Sequence, residues 1–308
     1  MHDQAIAFTT PPAAPRWKRW LLFSPLARIV IFVLLFMALS FASGALLRPL
    51  GWLGKDAPAT LHALAQFLMR AVPALLAYLL LVRFVERRAV TELAPRKLLR
   101  DGALGTLAGL LLFSAIVGVL YLLGSYHVTG TNPDAPWVPA LLMVGLGAGI
   151  GEEIICRGVL FRIVEEGLGS WWALVISALF FGAAHIANPG ATLWSSAAIA
   201  IEAGLLFGMI YHLTRSLSLC MGLHAAWNFA QGTIYGIPVS GVRADGWLVS
   251  TRSGPDWLSG GVFGAEASVV ALGLCSLCTL GLLVLALRRG SIVPFRPRAR
   301  REQALASR

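Results

Sequence analysis

Eight runs of about twenty apolar residues divide this chain of 308 residues, and they decide what it can fold into. At ~1.5 Å of rise per residue, a run of that length crosses the ~30 Å hydrocarbon layer of a bilayer. Within lipid every backbone N–H and C=O must be satisfied inside the protein, so runs of this length and continuity form helices. They lie at 26–47, 61–85, 102–124, 138–161, 170–187, 192–213, 217–236 and 265–287. Only 13% of residues are charged, against about 25% in an ordinary soluble domain. The expected fold class is therefore all-α: a polytopic membrane helix bundle of about eight transmembrane helices.

The net charge of +10 is distributed as membrane orientation requires. Twenty Lys and Arg residues fall on one side of the alternating spans and four (Arg48, Lys55, Arg243, Arg252) on the other, with Arg70 inside a span. Both termini are thus expected in the cytoplasm of a multi-pass plasma membrane protein, of bacterial inner-membrane type. Basic residues placed between apolar runs argue against a nucleic-acid partner; the expected partner is the lipid bilayer. Cys156, Cys220, Cys275 and Cys278 all lie in apolar stretches and describe no disulfide framework. The Cys275-x-x-Cys278 spacing reads as packing, and a thiol in apolar surroundings stays protonated, so none of the four is a nucleophile.

The organisation follows from these segments. Residues 1–25 read as a disordered cytoplasmic arm, and 26–136 as transmembrane helices one to three. Residues 137–236 hold helices four to seven, 237–264 form an external loop, and 265–308 give helix eight and a basic tail. Spans four to seven are Gly- and Ala-rich with very short links, which favours close backbone approach.

Ionisable residues inside such spans are expensive, ~2.5–3.5 kcal/mol at the low end, and mark functional positions. Span four carries Glu152, Glu153 and Arg157. On a helix Glu153 and Arg157 are one turn apart with the acid on the N-terminal side, the better orientation for an ion pair. Glu152 points about 100° away and is the candidate working carboxylate. The competing reading is a charge cluster that merely ends the helix. Span five places Phe181 one turn before His185. Span seven places His224 and Asn228 on one face, where they can serve as interhelical polar contacts or as donors to an oxyanion. Glu202 of span six has no partner in its own helix and reads as a supporting group. Depth counted from the cytoplasmic helix ends gives ~14 Å for Glu152 and ~10 Å for His224, but ~22 Å for His185.

These three patterns in this order (EE-xxx-R, F-xxx-H, H-xxx-N) resemble the CPBP family of intramembrane proteases. That family includes the type II CAAX prenyl proteases and the bacteriocin-processing and lysostaphin-resistance-like proteins. The resemblance covers roughly residues 138–236. It implies an eight-helix bundle around a cavity open to the cytosol, and an endopeptidase with a peptide or protein substrate, in which Glu152 and His185 activate a water. His224 and Asn228 would hold the oxyanion, with Glu153, Arg157 and Phe181 in support. Family members are described both as metal-independent glutamate proteases and as metalloproteases. The metal-free form is preferred here, since Asn228 beside His224 fits an oxyanion site better than a ligand set. The alternative is a divalent metal, zinc by preference, on His185, His224 and Glu152. A proton-coupled transporter, or a catalytically silent immunity or scaffold protein on the same fold, are the competing functions.

Overall fold

The computed structural model describes residues 8–295 and is 72% helical, a nearly all-α bundle. A short helix α1 (Arg16–Leu21) leads into α2 (Pro25–Leu50), α3 (Ala59–Glu86) and α4 (Pro95–Leu122). Strand β1 (Tyr126–Thr131) precedes α5 (Trp137–Leu168), α6 (Ser170–Ala187) and α7 (Leu193–Thr214). Helix α8 (Leu217–Phe229) continues through a widened turn, Ala230–Ile234. Strand β2 (Leu248–Arg252), the four-residue α9 (Asp256–Ser259) and α10 (Val269–Arg288) complete the described chain.

Seven of these helices, α2 to α7 and α10, are long and apolar enough to cross a membrane, so the protein is a multi-pass membrane protein. The eighth expected span, α8, is not among them. It runs through the bundle with Leu223, His224 and Trp227 buried, so it faces protein rather than lipid and tolerates a more polar sequence. The N-terminal arm, expected to be disordered, is helical over Arg16–Leu21, and the Phe8 backbone N–H donates to Glu166. Residues 1–7 lie outside the described part. The 237–264 loop is also ordered, since β2 pairs antiparallel with β1 from the link between α4 and α5.

Glycine allows the tightest contact. Gly105 and Gly109 of α4 lie on the backbone of α8, where an added Cβ would stand 2.1 Å from the Leu219 carbonyl oxygen and 2.3 Å from that of Leu223. Small residues four apart let two membrane helices meet backbone to backbone.

One end of the bundle is locked by buried charge. Arg28 pairs with Glu86 and Glu166, Arg162 with the same two carboxylates, and Arg88 with Glu86 and Glu92. Beside them Glu165 takes His212 and Arg215. Burial alone would raise the carboxyl of Glu92, but the hydrogen-bonded Arg88 guanidinium overrides it and holds the group below the usual range. The opposite end carries β1, β2 and the 237–268 segment.

Candidate active site

The helix that carries the acidic pair is irregular. Leu141–Gly147 and Ile154–Phe161 are wound as π-helix on either side of the α-helical turn Ala148–Glu153. Wide turns of this kind recur at functional sites because they re-aim side chains and free carbonyls. A third wide turn, Ala200–Leu205 in α7, supplies the Ala203 and Gly204 carbonyls that accept hydrogen bonds from Arg157 at 3.0 and 3.3 Å.

Arg157 is fully buried and its other terminal nitrogen donates to Glu153 Oε1 at 2.8 Å. Its guanidinium lies over the rings of Phe181, at 4.8 Å, and Phe207, at 5.1 Å. Glu153, also fully buried, accepts a second hydrogen bond from His224 Nδ1 at 2.8 Å. Glu152 turns away from this pair. Its side chain is 38% exposed, with Oε2 3.9 Å from His224 Nε2.

At the end of α6, His185 Nδ1 donates to the Phe181 carbonyl at 2.7 Å. That bond fixes the tautomer and leaves Nε2 as the basic nitrogen. The Phe181 ring is 4.7 Å from the His185 ring and 6.0 Å from that of His224, so one aromatic side chain spaces both imidazoles. Asn228 donates one amide hydrogen to the Val144 carbonyl in the wide turn of α5, and a side-chain amide has a second to offer.

Phe181, His185, His224 and Asn228 line one small, partly open cavity of about 30 Å³. Glu152, Glu153 and Arg157 are not part of the lining; Glu152 reaches the site through the 3.9 Å approach of its Oε2 to His224 Nε2. The depth count set His185 apart from the other groups. In the structure it occupies the last turn of α6 and still shares the cavity, whose lining extends toward the end of the bundle carrying 237–268. Ser240 and Glu266 from that segment complete the wall, together with Glu202. The other end of the bundle is filled by the buried ion pairs.

Residues 134–230 match the family described as type II CAAX prenyl endopeptidase Rce1-like. The segment is Rce1-like. This bears out the resemblance to the CPBP intramembrane proteases, and the Rce1-like segment takes in Glu152, Glu153, Arg157, Phe181, His185, His224 and Asn228. Among curated proteins no match is found. The Rce1-like segment stops short of Ser240 and Glu266.

Two wall residues went unread in the sequence, one of them despite a signal. Glu266 falls inside the 265–287 apolar run and is as costly there as Glu152 in its own span. Phe207 carries no such mark, because a phenylalanine in a membrane helix is ordinary, and only contact with Arg157 gives it meaning. Burial pushes the carboxyl of Glu266 up to about 7 against the pull of the Ser240 N–H and of Arg252.

Among the described residues no three His, Cys, Asp or Glu side chains are grouped to hold an ion. His224 donates Nδ1–H to Glu153 and His185 donates Nδ1–H to a carbonyl, which leaves the Nε2 atom of each ring without a committed bond and suits a proton-transferring or a ligating histidine alike.

Proposed function

We propose that the protein is an intramembrane endopeptidase in which Glu152 and His185 activate a water for attack on a peptide carbonyl. The observation that carries this reading is the convergence of His185, His224 and Asn228 on one cavity, with the half-covered carboxylate of the acidic pair 3.9 Å from His224. A general base must reach its proton directly or through one water, and the exposed Glu152 carboxylate is free to do so where Glu153 is not. His185, with Nε2 free, accepts the second proton or passes it to the leaving amine.

The oxyanion falls to the donors opposite. Asn228 has an amide hydrogen left after its bond to Val144. His224, donating through Nδ1 to Glu153, presents Nε2–H when doubly protonated. Neutral or charged donors held in place before the reaction are worth ~2.7–4 kcal/mol each at such a site. Glu153 and Arg157 do no chemistry in this scheme; they orient His224 and the helix turn that carries Glu152. No step requires a metal.

The test is cleavage of a membrane-inserted peptide by the purified protein in proteoliposomes. Glu152→Gln is expected to lower kcat by at least ~100-fold, the usual scale for loss of a general base, while the thermal unfolding midpoint stays within ~2 °C, as for an isosteric change away from the core. Rigorous chelation is expected to leave the rate unchanged. Activity abolished by chelation and restored by zinc would replace the scheme with a metal-dependent one. Full activity in Glu152→Gln would remove Glu152 from the chemistry.

A further inference from the structure

Two carboxyl groups in the cavity wall have no task in this hydrolysis. Glu202, 2% exposed, projects from the wide turn of α7, and Glu266, 3% exposed, from the turn just before α10. Both line the cavity beside His185, His224 and Asn228.

Their pairing sets them apart from every other buried glutamate among the described residues. Glu86, Glu92, Glu153, Glu165 and Glu166 each contact an arginine. Glu202 and Glu266 have no ion-pair partner. Glu266 Oε1 accepts from the Ser240 backbone N–H at 2.5 Å, but its Oε2 is buried with no hydrogen-bond partner. Glu202 Oε2 has only the Cys275 thiol, at 3.9 Å, a weak donor. Five buried acids have an arginine in direct contact, whereas on this cavity wall Glu266 feels only the longer-range charge of Arg252 and Glu202 touches no cation among the described residues, which leaves the pair open to a cation from elsewhere. An uncompensated buried carboxylate costs several kcal/mol, and an incoming ammonium or guanidinium removes that cost.

We propose that Glu202 and Glu266 form a substrate subsite that takes the cationic side chain of a lysine or arginine near the scissile bond. The proposal rests on the endopeptidase reading for the identity of the ligand, though not for the existence of the site. A metal ion suits the wall less well, since no third His, Cys, Asp or Glu completes a ligand group there among the described residues. A lysine or arginine stem is long and apolar, and Phe181, Ile199, Phe207 and Trp227 supply the apolar lining it would cross. The subsite is built across the boundary of the family match. Glu202 lies inside 134–230, while Ser240 and Glu266 lie beyond it, on the segment whose Gly241, at φ 82°, lets the chain turn against the Pro189 carbonyl.

The test compares quenched fluorogenic peptides, inserted in proteoliposomes, that differ only in Lys, Arg or Gln within three residues of the cut. Wild type is expected to show a kcat/KM at least ~10-fold higher for the basic peptides, the scale on which a site built for a polar group rejects an analogue lacking it. In Glu202→Gln and Glu266→Gln the ratio of basic to neutral kcat/KM is expected to fall toward one, chiefly through KM. A second readout needs no catalysis. n-Butylguanidinium, but not n-butylurea, is expected to raise the thermal unfolding midpoint of wild type and to lose that effect in either variant. Cleavage without preference for the basic peptides, or a preference that survives in both variants, overturns the subsite and leaves the protease standing. A guanidinium-specific shift without cleavage of any peptide keeps the cation site and sinks the protease. No shift and no preference remove the cation site altogether.

Discussion

Arg157 shows how a single side chain can organise a site without touching a substrate. It holds Glu153 through one nitrogen and two α7 carbonyls through another, and it lies between the rings of Phe181 and Phe207. Glu153 in turn fixes His224. A lysine carries the charge but has neither the planar fork nor the stacking face, so the exchange is not conservative here. Arg157→Lys is expected to destabilise the protein by ~3 kcal/mol or more, within the range for breaking a buried pair. The cleavage rate should fall along with the unfolding midpoint, whereas Glu152→Gln affects the rate alone. Thermal unfolding and proteoliposome cleavage on the same preparation separate the two cases, and an Arg157→Lys protein with normal stability would deny Arg157 this role. At this scale much was legible beforehand. The pairing of Glu153 with Arg157, and the freedom of Glu152, follow from helix spacing alone. The joining of Glu153 to His224 does not, because it spans 71 residues and depends on how α5 meets α8.

That meeting is governed by the elements. Helix α5 approaches α8 at Gly149, where a Cβ would stand 2.9 Å from the Ala225 backbone nitrogen and 3.0 Å from the Met221 carbonyl oxygen. Three residues on, the same helix presents Glu152, and His224 is the neighbour of Ala225. Gly149→Ala must therefore push the two helices apart at the point where the acid and the imidazole face each other. Overpacking of this kind costs ~1–3 kcal/mol, and a displacement of about 1 Å near reacting groups can cost ~100-fold in rate. A matched control is Gly118→Ala in α4, where nothing lies within 4 Å of the added methyl. It is expected to leave both stability and rate within error. Since Gly→Ala raises helix propensity, equal loss in the two variants would deny the Gly149 effect an origin at this interface. The sequence announced close packing through its glycines and short links, and it placed the apolar runs well. It did not reveal that α8 is sheathed by protein, since hydropathy records how apolar a helix is and not what surrounds it. The β1–β2 pairing was hidden for a similar reason. Its partners are 126–131 and 248–252, too far apart in the chain for a turn signal to join them.

At the scale of the whole molecule the two ends of the bundle are unlike, and the difference decides from which side a substrate comes. One end is closed by the Arg28, Arg88 and Arg162 network with Glu86, Glu92 and Glu166. The cavity lies toward the other, where Ser240 and Glu266 join its wall. Five of the twenty basic residues assigned to the cytoplasmic side (Arg28, Arg88, Arg157, Arg162 and Arg215) are held by buried acids. Fifteen remain against four on the opposite side, so the bias that orients the chain survives their removal. On the orientation expected from that bias, the locked end would face the cytoplasm and the cavity wall built from 237–268 would face away from it. A protein tail arriving from the cytosol would have to pass the ion-pair layer, whereas a segment already inserted in, or translocated across, the membrane would not. The decisive measurement is sidedness of labelling in a background with the four native cysteines replaced. Arg243→Cys, exposed beside the cavity wall, is expected to react with an impermeant maleimide in intact cells. Arg96→Cys, exposed at the other end, is expected to react only after the cells are opened. The reverse pattern would invert the bundle, place Glu266 and Ser240 toward the cytosol, and make a soluble cytosolic tail the natural substrate.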